Sequence, residues 1–218
     1  MTQELPGVVA SADTTLTDAM VLFDWNGTVV LDADRARASL NRVLGTRRLG
    51  ELAQAEFTER FRLPMAEMFG ELGVAEAELS RAEEEWNTAM RQSTTSLRAG
   101  SEGCLAALSA GGAWLGVVSA AAAEAVRFDQ HSLGVDHVWD SVEAPVADKL
   151  SVLQRHRGRR RRAFYVGDTP YDMRCARAAG FVAVGVTGGY AATSALADAG
   201  ADHLIVSLEE LLPIVAAS

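Results

Sequence analysis

Four short segments contain the side chains that could do chemistry. Asp24 follows an apolar run in FDWNGTVV, Ser119 follows another in VVSA, and Asp168 and Asp172 lie in GDTPYD. Lys149, in ADKL, is the only lysine; the other 19 of the 20 basic residues are arginines. A compact ammonium beside a carboxylate and a phosphate does work that an arginine does differently. These residue types therefore indicate chemistry on a small anionic substrate.

Each segment also has a purely structural interpretation. Asn-Gly at 26–27, between two apolar stretches, is typical of a two-residue β-hairpin. Thr169 could be the N-cap of a helix that starts at Pro170, and Ser119 could be the N-cap of a helix in AAAEAV. Lys149 could stand at a surface position by chance. These alternatives stay open on the residues alone.

Short apolar runs predict the elements that must position these side chains. They are rich in β-branched and aromatic residues and read as buried parallel strands: AMVLFD (19–24), AWLGVVS (113–119), RAFYVGD (162–168), FVAVGVT (181–187) and DHLIVS (202–207). Helical patterns lie between them, which predicts an α/β doubly wound parallel sheet. Ligands of such sheets bind beyond the carboxyl ends of the strands, where the candidate residues lie.

One region breaks the alternation of strand and helix. Residues 32–97 carry helical periodicity in four segments and no convincing strand, which predicts an inserted helical bundle. Its apolar positions are expected to form the bundle core: Leu44, Leu52, Phe57, Phe61, Met65, Met68 and Phe69. The predicted domains are a flexible lead-in over 1–19, an α/β core over 20–31 and 98–218, and the helical insertion over 32–97.

Composition limits the class of partner. The net charge of −9 disfavours broad binding to nucleic acid or to an anionic membrane, and the basic run over 155–162 is expected to be a solvated helix end and loop. The two cysteines have no metal-ligand spacing, so a reducing cytoplasm is the expected location. No signal sequence or membrane span is expected, and no macromolecular partner is indicated.

The four segments, in their order and spacing, resemble the four motifs of the haloacid dehalogenase-like (HAD) hydrolase superfamily. The insertion after the first motif resembles the helical type 1 cap of this superfamily. The resemblance covers about residues 20–216, and the C-terminal part is similar to phosphoglycolate-phosphatase-like members. It implies a Rossmann-like core and a Mg²⁺-dependent phosphatase acting on a small phosphorylated metabolite.

The resemblance also implies a role for each motif residue. Asp24 would attack phosphorus to form an aspartyl-phosphate, and Lys149 and Asp172 would complete the catalytic set. Mg²⁺ would be held by Asp24, Asp168 and the backbone carbonyl of Asn26. The phosphate would be bound by Ser119, with its neighbour Ala120, and by the amides of Gly27 and Thr28.

Two positions depart from the motifs. Similar phosphatases have Asp at position 26, where it protonates the leaving oxygen and then activates water; Asn26 cannot shuttle a proton. General acid-base catalysis is typically worth about 10²- to 10⁴-fold, so we expect a slow phosphatase or a substrate with a good leaving group. Ala120 stands where many members have Asn, so the phosphate contact there is expected to differ.

Three other functions share parts of this pattern. Phosphonoacetaldehyde hydrolases, which cleave a C–P bond, have a similar first motif but need a cap lysine, and residues 30–100 contain none. Haloacid dehalogenases, which cleave a C–halogen bond, have Tyr at position 26 and need no metal. A phosphate-ligand binding or regulatory protein with negligible turnover is the alternative that Asn26 motivates.

The insertion is expected to select the substrate because it would close over the site. Arg60 and Arg62 are candidate substrate contacts, although both could equally be solvated charges at a helix end. Phosphoglycolate, sugar phosphates and nucleotides are all compatible with a small capped site.

Overall fold

A computed structural model describes residues 15–62 and 64–217 of the protein. Within these residues, six parallel strands form one sheet, in the order β3-β2-β1-β4-β5-β6. The strands are β1 (Ala19–Phe23), β2 (Trp114–Val118), β3 (Ser141–Glu143), β4 (Arg162–Gly167), β5 (Val182–Val186) and β6 (His203–Ile205). The predicted doubly wound α/β fold is confirmed.

The central strand β1 is buried along its whole length. Successive side chains of a strand point to opposite faces of the sheet, so Val21 and Phe23 pack into one apolar layer, and Met20 and Leu22 into the other. Helices cover both layers: α5 (Ser101–Ala110), α6 (Ala123–Ser132), α7 (Lys149–His156), α8 (Pro170–Ala178), α9 (Thr193–Asp198) and α10 (Leu211–Ala217). This burial on both faces explains the near-continuous apolar runs in the sequence.

The prediction of five strands was incomplete, because β3 is a sixth. It consists of Ser141, Val142 and Glu143 at the edge of the sheet and pairs only with β2 among the described strands. Val142 is 39% exposed. A three-residue edge strand with two polar residues carries no apolar run, which is why the sequence pattern did not predict it.

Four helices follow β1 as a helical insertion, here defined as residues 33–91. They are α1 (Ala33–Thr46), α2 (Gln54–Arg60), α3 (Met65–Glu71) and α4 (Leu79–Arg91), with a 3₁₀ turn at Glu76–Glu78. The predicted bundle core is confirmed: Phe57, Met68 and Phe69 are buried, and Phe61 packs against them. The domain bounds 32–97 stay a prediction.

Most of the predicted lead-in, residues 1–19, lies outside the described residues. Of the remainder, Leu16 is buried in the core and Ala19 begins β1. None of the described helices has the length and apolarity that crossing a bilayer requires.

Candidate active site

The candidate site lies where the winding of the sheet changes direction. The chain passes from β1 to β2 and β3 on one side, then returns to place β4 on the other side of β1. Asp24 directly follows β1, and its amide donates to the carbonyl of Val166 in β4 at 2.8 Å. Asp168 directly follows β4. The carboxyl ends of two adjacent strands thus bring both acids to one switch point.

Three carboxylates and one ammonium form a buried cluster there. The Nζ of Lys149 lies 2.8 Å from Oδ2 of Asp24 and 2.7 Å from Oδ1 of Asp172. One carboxylate oxygen from each of Asp24, Asp168 and Asp172 lies within 4.8 Å of the other two. Asp24 and Lys149 are only 7% and 4% exposed, and both other acids are fully buried. The structure therefore brings together residues from three separate segments of the sequence.

Burial and mutual charge perturb these groups strongly. Burial, followed by the charges of Asp24 and Asp172, raises the pKa of Asp168 well above its usual value. Burial also raises the pKa of Asp24, against the opposing charge of Lys149. Burial alone would lower the pKa of Lys149, but Asp172 and Asp24 hold it well above its ordinary value. The lysine is thus held as a cation, while the site retains an excess of carboxylate.

Asp172 is fixed in place by the start of α8. Its Oδ2 accepts hydrogen bonds from the amide and hydroxyl of Thr169, at 3.0 and 2.5 Å, and the Thr169 hydroxyl accepts from the amide of Asp172. The N-cap interpretation of Thr169 is therefore confirmed, with Pro170 in the first helical turn. Oδ1 of Asp172 accepts from Lys149 and from the Tyr165 hydroxyl. Asp172 therefore both takes part in capping α8 and orients Lys149.

The loop after β1 is a compact turn and not the hairpin that Asn-Gly suggested. The amides of Val29 and Val30 donate to the Trp25 carbonyl, at 2.9 and 3.2 Å, and no antiparallel strand pair forms here within the described residues. Gly27 has φ +75°, and a Cβ at this position would collide with the Asp168 carboxylate. Only glycine fits this conformation and this close approach. The Thr28 hydroxyl donates to Asp168 at 3.0 Å, which joins the loop to the cluster.

Asn26 makes a contact that the sequence did not suggest. Its side-chain amide donates to Oδ2 of Asp32, a fully buried carboxylate. Oδ1 of Asp32 accepts from the amide of Gly27 at 3.0 Å and from the hydroxyl of Tyr190 at 3.1 Å. Burial raises the pKa of Asp32, against the hydrogen bond from Asn26 and the charge of Arg35. In this structure the Gly27 amide, expected to face phosphate, binds Asp32.

Asp32 also belongs to a buried chain of polar groups between the insertion and the core. It immediately precedes α1 but makes no side-chain capping bond to that helix. Arg35 lies 3.5 Å from Asp32 and binds both oxygens of Asp129 in α6 at 2.9 Å. The Nε1 of Trp25 donates to the same Asp129 at 3.2 Å. These contacts tie the first helix of the insertion to the loop that carries Asp24.

Tyr190 connects the insertion to the acidic cluster from the loop after β5. Its amide donates to Oδ2 of Asp168 at 2.6 Å. Its ring stacks on Phe61 with 4.3 Å between centroids and packs in the apolar cluster of the insertion. The insertion therefore closes directly over the carboxyl ends of the strands.

Arg98 binds the backbone of the loop that follows β1, here called the motif loop. Its guanidinium donates to the carbonyls of Gly27 and Thr28 and, at 2.9 Å, to the carbonyl of Thr187. Asp32, Arg35, Arg98, Asp129 and Tyr190 were not predicted from the sequence as residues of this site. Of these five, only Asp32 could have been indicated by the sequence, because it is an acid six residues after Asn26. The others reach the site through tertiary folding.

The remaining predicted site residues, in β2 and in the insertion, differ in their exposure to solvent. Ser119 is 1% exposed at the end of β2, and its hydroxyl accepts from the Ala121 amide at 3.3 Å. Its interpretation as an N-cap was wrong, because α6 begins four residues later with Ala122 as N-cap. Ala120 is exposed. Arg62 is exposed on the insertion and pairs with Glu71, and Arg60 pairs with Glu56; their substrate contacts stay predictions.

The residues of the cluster fit a divalent cation. Three buried carboxylates face one ammonium, so the cluster carries uncompensated negative charge. Hard oxygen ligands of this kind suit Mg²⁺, which is usually held by one or two carboxylates. Both oxygens of Asp172 already accept two hydrogen bonds each, whereas Asp24 and Asp168 accept fewer. Asp24 and Asp168 are therefore the better direct ligands.

Comparison with solved structures gives close matches of fold. A predicted phosphoglycolate phosphatase from Haemophilus somnus matches with a TM-score of 0.80 at 19% identity, covering 92% of this chain and 98% of that one. A HAD-like hydrolase from Streptococcus pneumoniae matches with a TM-score of 0.78 at 17% identity, covering 91% and 98%. CbbY from Rhodobacter sphaeroides, in complex with phosphate, matches with a TM-score of 0.71 at 20% identity, covering 89% and 96%.

These likenesses, all under 25% identity, concern the fold. Comparison with curated proteins gives no match. The sequence profile of the haloacid dehalogenase-like hydrolases matches residues 21–186, which span all four motifs, the helical insertion and the buried acidic cluster. The chain therefore belongs to the haloacid dehalogenase-like hydrolase family.

Proposed function

We propose that the protein is a Mg²⁺-dependent phosphatase that hydrolyses a small phosphate monoester through an aspartyl-phosphate on Asp24. The observation that carries this proposal is the Lys149 ammonium held between Asp24 and Asp172, beside a third buried carboxylate. A dianionic phosphate needs this cation, and the carboxylates supply a nucleophile and metal ligands.

Asp24 would act first as the nucleophile. One of its oxygens forms a bond to phosphorus as the bond to the ester oxygen breaks, and the leaving alkoxide takes a proton. Water then attacks the phosphoryl group on Asp24, which releases inorganic phosphate and regenerates the carboxylate. Lys149 neutralises charge during both displacements, and Asp172 positions Lys149.

Asp24 and Asp168, with the backbone carbonyl of Asn26, would hold the metal. When bound, Mg²⁺ supplies positive charge that neutralises the carboxylates and the transferring phosphoryl group. Ser119 and the backbone of the motif loop would bind the phosphate oxygens.

Because residue 26 is Asn, the rate of turnover should depend on the leaving group. The Asn26 amide cannot donate a proton as an acid, so the alkoxide must take its proton from solvent water. We therefore expect faster turnover of esters whose leaving groups are stable as anions, such as p-nitrophenyl phosphate, than of alkyl phosphates.

The test is inorganic phosphate release from a panel of small esters, with Mg²⁺ and with chelator. We expect Mg²⁺-dependent turnover by the natural protein and a loss of about 10³-fold or more in Asp24→Asn. Asp34→Asn is the matched control, because Asp34 is an exposed acid of α1 with a side chain that is 88% exposed.

Two results would contradict the proposal. Turnover that survives chelator would remove the role of Mg²⁺. Absence of turnover by the natural protein would exclude a phosphatase for the esters tried. Tight binding of phosphate without turnover would then favour a ligand-binding protein, which the loss of an acid at position 26 also motivates.

A further inference from the structure

We infer that Arg98 is a positioning residue that acts through the motif loop and Asp168, where its positive charge favours the binding of phosphate and opposes the binding of Mg²⁺. The inference rests on the proposed function and deepens it, since it concerns the balance between two ligands of the same site. Arg98 lies outside the four motif segments, and no role was predicted for it from the sequence.

Arg98 differs from the other buried cations in having no acidic partner. It is 5% exposed, yet no carboxylate of residues 15–62 and 64–217 forms an ion pair with its guanidinium. Lys149 and Arg35, by contrast, are each paired with acids. Burial lowers the pKa of Arg98, but an arginine stays protonated at neutral pH. The charge of Arg98 is therefore available to groups farther away.

The guanidinium of Arg98 binds backbone carbonyls of loops at the carboxyl ends of three strands. It donates to Gly27 and, at 2.8 Å, to Thr28 in the motif loop. It also donates to Thr187 after β5 at 2.9 Å and to Val206 after β6 at 3.4 Å. A guanidinium has five donors in a rigid plane, so it can fix several carbonyls at once. Arg98 therefore helps to set the relative position of these loops.

Two of these loops contact Asp168, a proposed metal ligand. The Thr28 hydroxyl donates to Asp168 at 3.0 Å, and a Cβ on Gly27 would lie 2.2 Å from Oδ2 of Asp168. In the loop after β5, the Tyr190 amide donates to the same oxygen at 2.6 Å. The charge of Asp168 accordingly opposes the effect of burial on the pKa of Arg98. Arg98 and Asp168 thus interact across the motif loop without forming an ion pair.

The bond to the Gly27 carbonyl also orients an amide that is proposed to bind phosphate. In a trans peptide unit the carbonyl and the next amide point in opposite directions, so the amide of Thr28 points away from Arg98. That amide now makes a long bond of 3.3 Å to the Trp25 carbonyl. A positive charge on the carbonyl side polarises the peptide unit and strengthens its amide as a donor. Arg98 therefore favours an anion in front of the motif loop.

The same charge has opposite effects on the two ligands of the site. A cation behind Asp168 reduces the negative potential that attracts Mg²⁺, and it reduces the repulsion between the three carboxylates and a phosphate dianion. Removing this charge should strengthen metal binding and weaken phosphate binding. Damage to the loop would instead weaken both, because it would misplace the groups that hold each ligand. The signs of the two changes therefore separate an electrostatic role from a structural one.

The test is titration calorimetry at pH 7.5, first with Mg²⁺ alone and then with inorganic phosphate in the presence of Mg²⁺. Arg98→Gln keeps hydrogen-bond donors and removes the charge. We expect its dissociation constant for Mg²⁺ to fall several-fold and that for phosphate to rise about tenfold. Arg98→Lys keeps the charge, so both constants should stay within about threefold of the natural values. Arg91→Gln, which removes an exposed arginine of α4, should change neither constant.

The inference and the phosphatase proposal fail in distinguishable ways. Weaker binding of both ligands to Arg98→Gln, or no change in either, would overturn the inference, and turnover by the natural protein would still support the phosphatase. If Arg98→Gln does not fold, Arg98→Lys decides by the threefold criterion. Opposite shifts in a protein that hydrolyses none of the esters would support the inference and contradict the phosphatase. A natural protein that binds neither Mg²⁺ nor phosphate would contradict both.

Discussion

At the scale of single residues, the side chain at position 26 is complementary to its neighbour Asp32. An amide at this position donates to Asp32, whereas a carboxylate would place a second negative charge against a fully buried one. Asn26 removes the usual proton donor from the motif and at the same time satisfies Asp32. The departure from the family pattern is therefore compatible with a well-ordered loop.

Replacing Asn26 with Asp should destabilise the protein. Two carboxylates sharing this contact cannot both ionise freely, so we expect a loss of about 1–3 kcal/mol in the free energy of unfolding. One carboxyl pKa would rise above its unfolded value, so the deficit should grow as pH increases from 5 to 8. Thermal unfolding at several pH values measures this loss.

The double variant Asn26→Asp/Asp32→Asn is the control, because it exchanges the two groups and retains one carboxylate. It should recover most of the lost stability. A single Asn26→Asp variant that is as stable as the natural protein at pH 8 would show that this contact does not govern residue 26.

At the scale of elements, α1 and α6 are joined through a buried ion pair. Arg35 and Asp129 are 8% and 1% exposed and are held in a bidentate contact, while Trp25 binds Asp129 from the motif loop. Burying two charges is costly, so such a pair is poor evidence for stability by itself. The pair instead fixes the position of the insertion relative to the loop that follows β1.

Removing Arg35 should be strongly destabilising. Arg35→Met leaves the Asp129 carboxylate buried without its cation, and we expect a loss of about 3–5 kcal/mol, measured by urea unfolding. Arg37→Met, two residues along α1, removes only a long contact of 3.9 Å between a half-buried arginine and the exposed Asp34, and should cost less than about 0.5 kcal/mol. Equal effects of the two substitutions would contradict a special role for the buried pair.

At the scale of the whole molecule, folding gathers negative charge at the switch point of the sheet. Chain segments that are distant in sequence meet there, and only one lysine offsets three carboxylates. Burial and mutual repulsion raise the pKa of Asp168 and of Asp24. In metal-free protein these raised values mean that the folded state binds more protons than the unfolded state, so their contribution to stability falls as pH rises.

Mg²⁺ should therefore stabilise the protein in a pH-dependent way. Because protons and metal compete for the same oxygens, the increase in melting temperature on adding Mg²⁺ should be several degrees at pH 7.5 and much smaller at pH 5. Differential scanning calorimetry measures it. Asp168→Asn should abolish the increase, and Asp34→Asn should retain it; an equal increase at both pH values would contradict metal binding by these carboxylates.

The sequence by itself determined the main sheet, the helical insertion and the motif residues. Long apolar runs predicted five strands, because strands buried on both faces must be apolar throughout. Their order along the chain placed Asp24, Ser119 and Asp168 at carboxyl ends. The edge strand β3 was not predicted, because three residues with one apolar side chain give no recognisable pattern.

Only the tertiary structure decided what surrounds position 26. Asp32 looks like an ordinary helix-starting acid in the sequence, yet its side chain makes no capping bond to α1 and instead accepts hydrogen bonds from Asn26, Gly27 and Tyr190. Tyr190 lies 158 residues from Asp32 along the chain. Local patterns record the period of an element and its caps, whereas contacts across that distance exist only once the sheet has brought its loops to one edge.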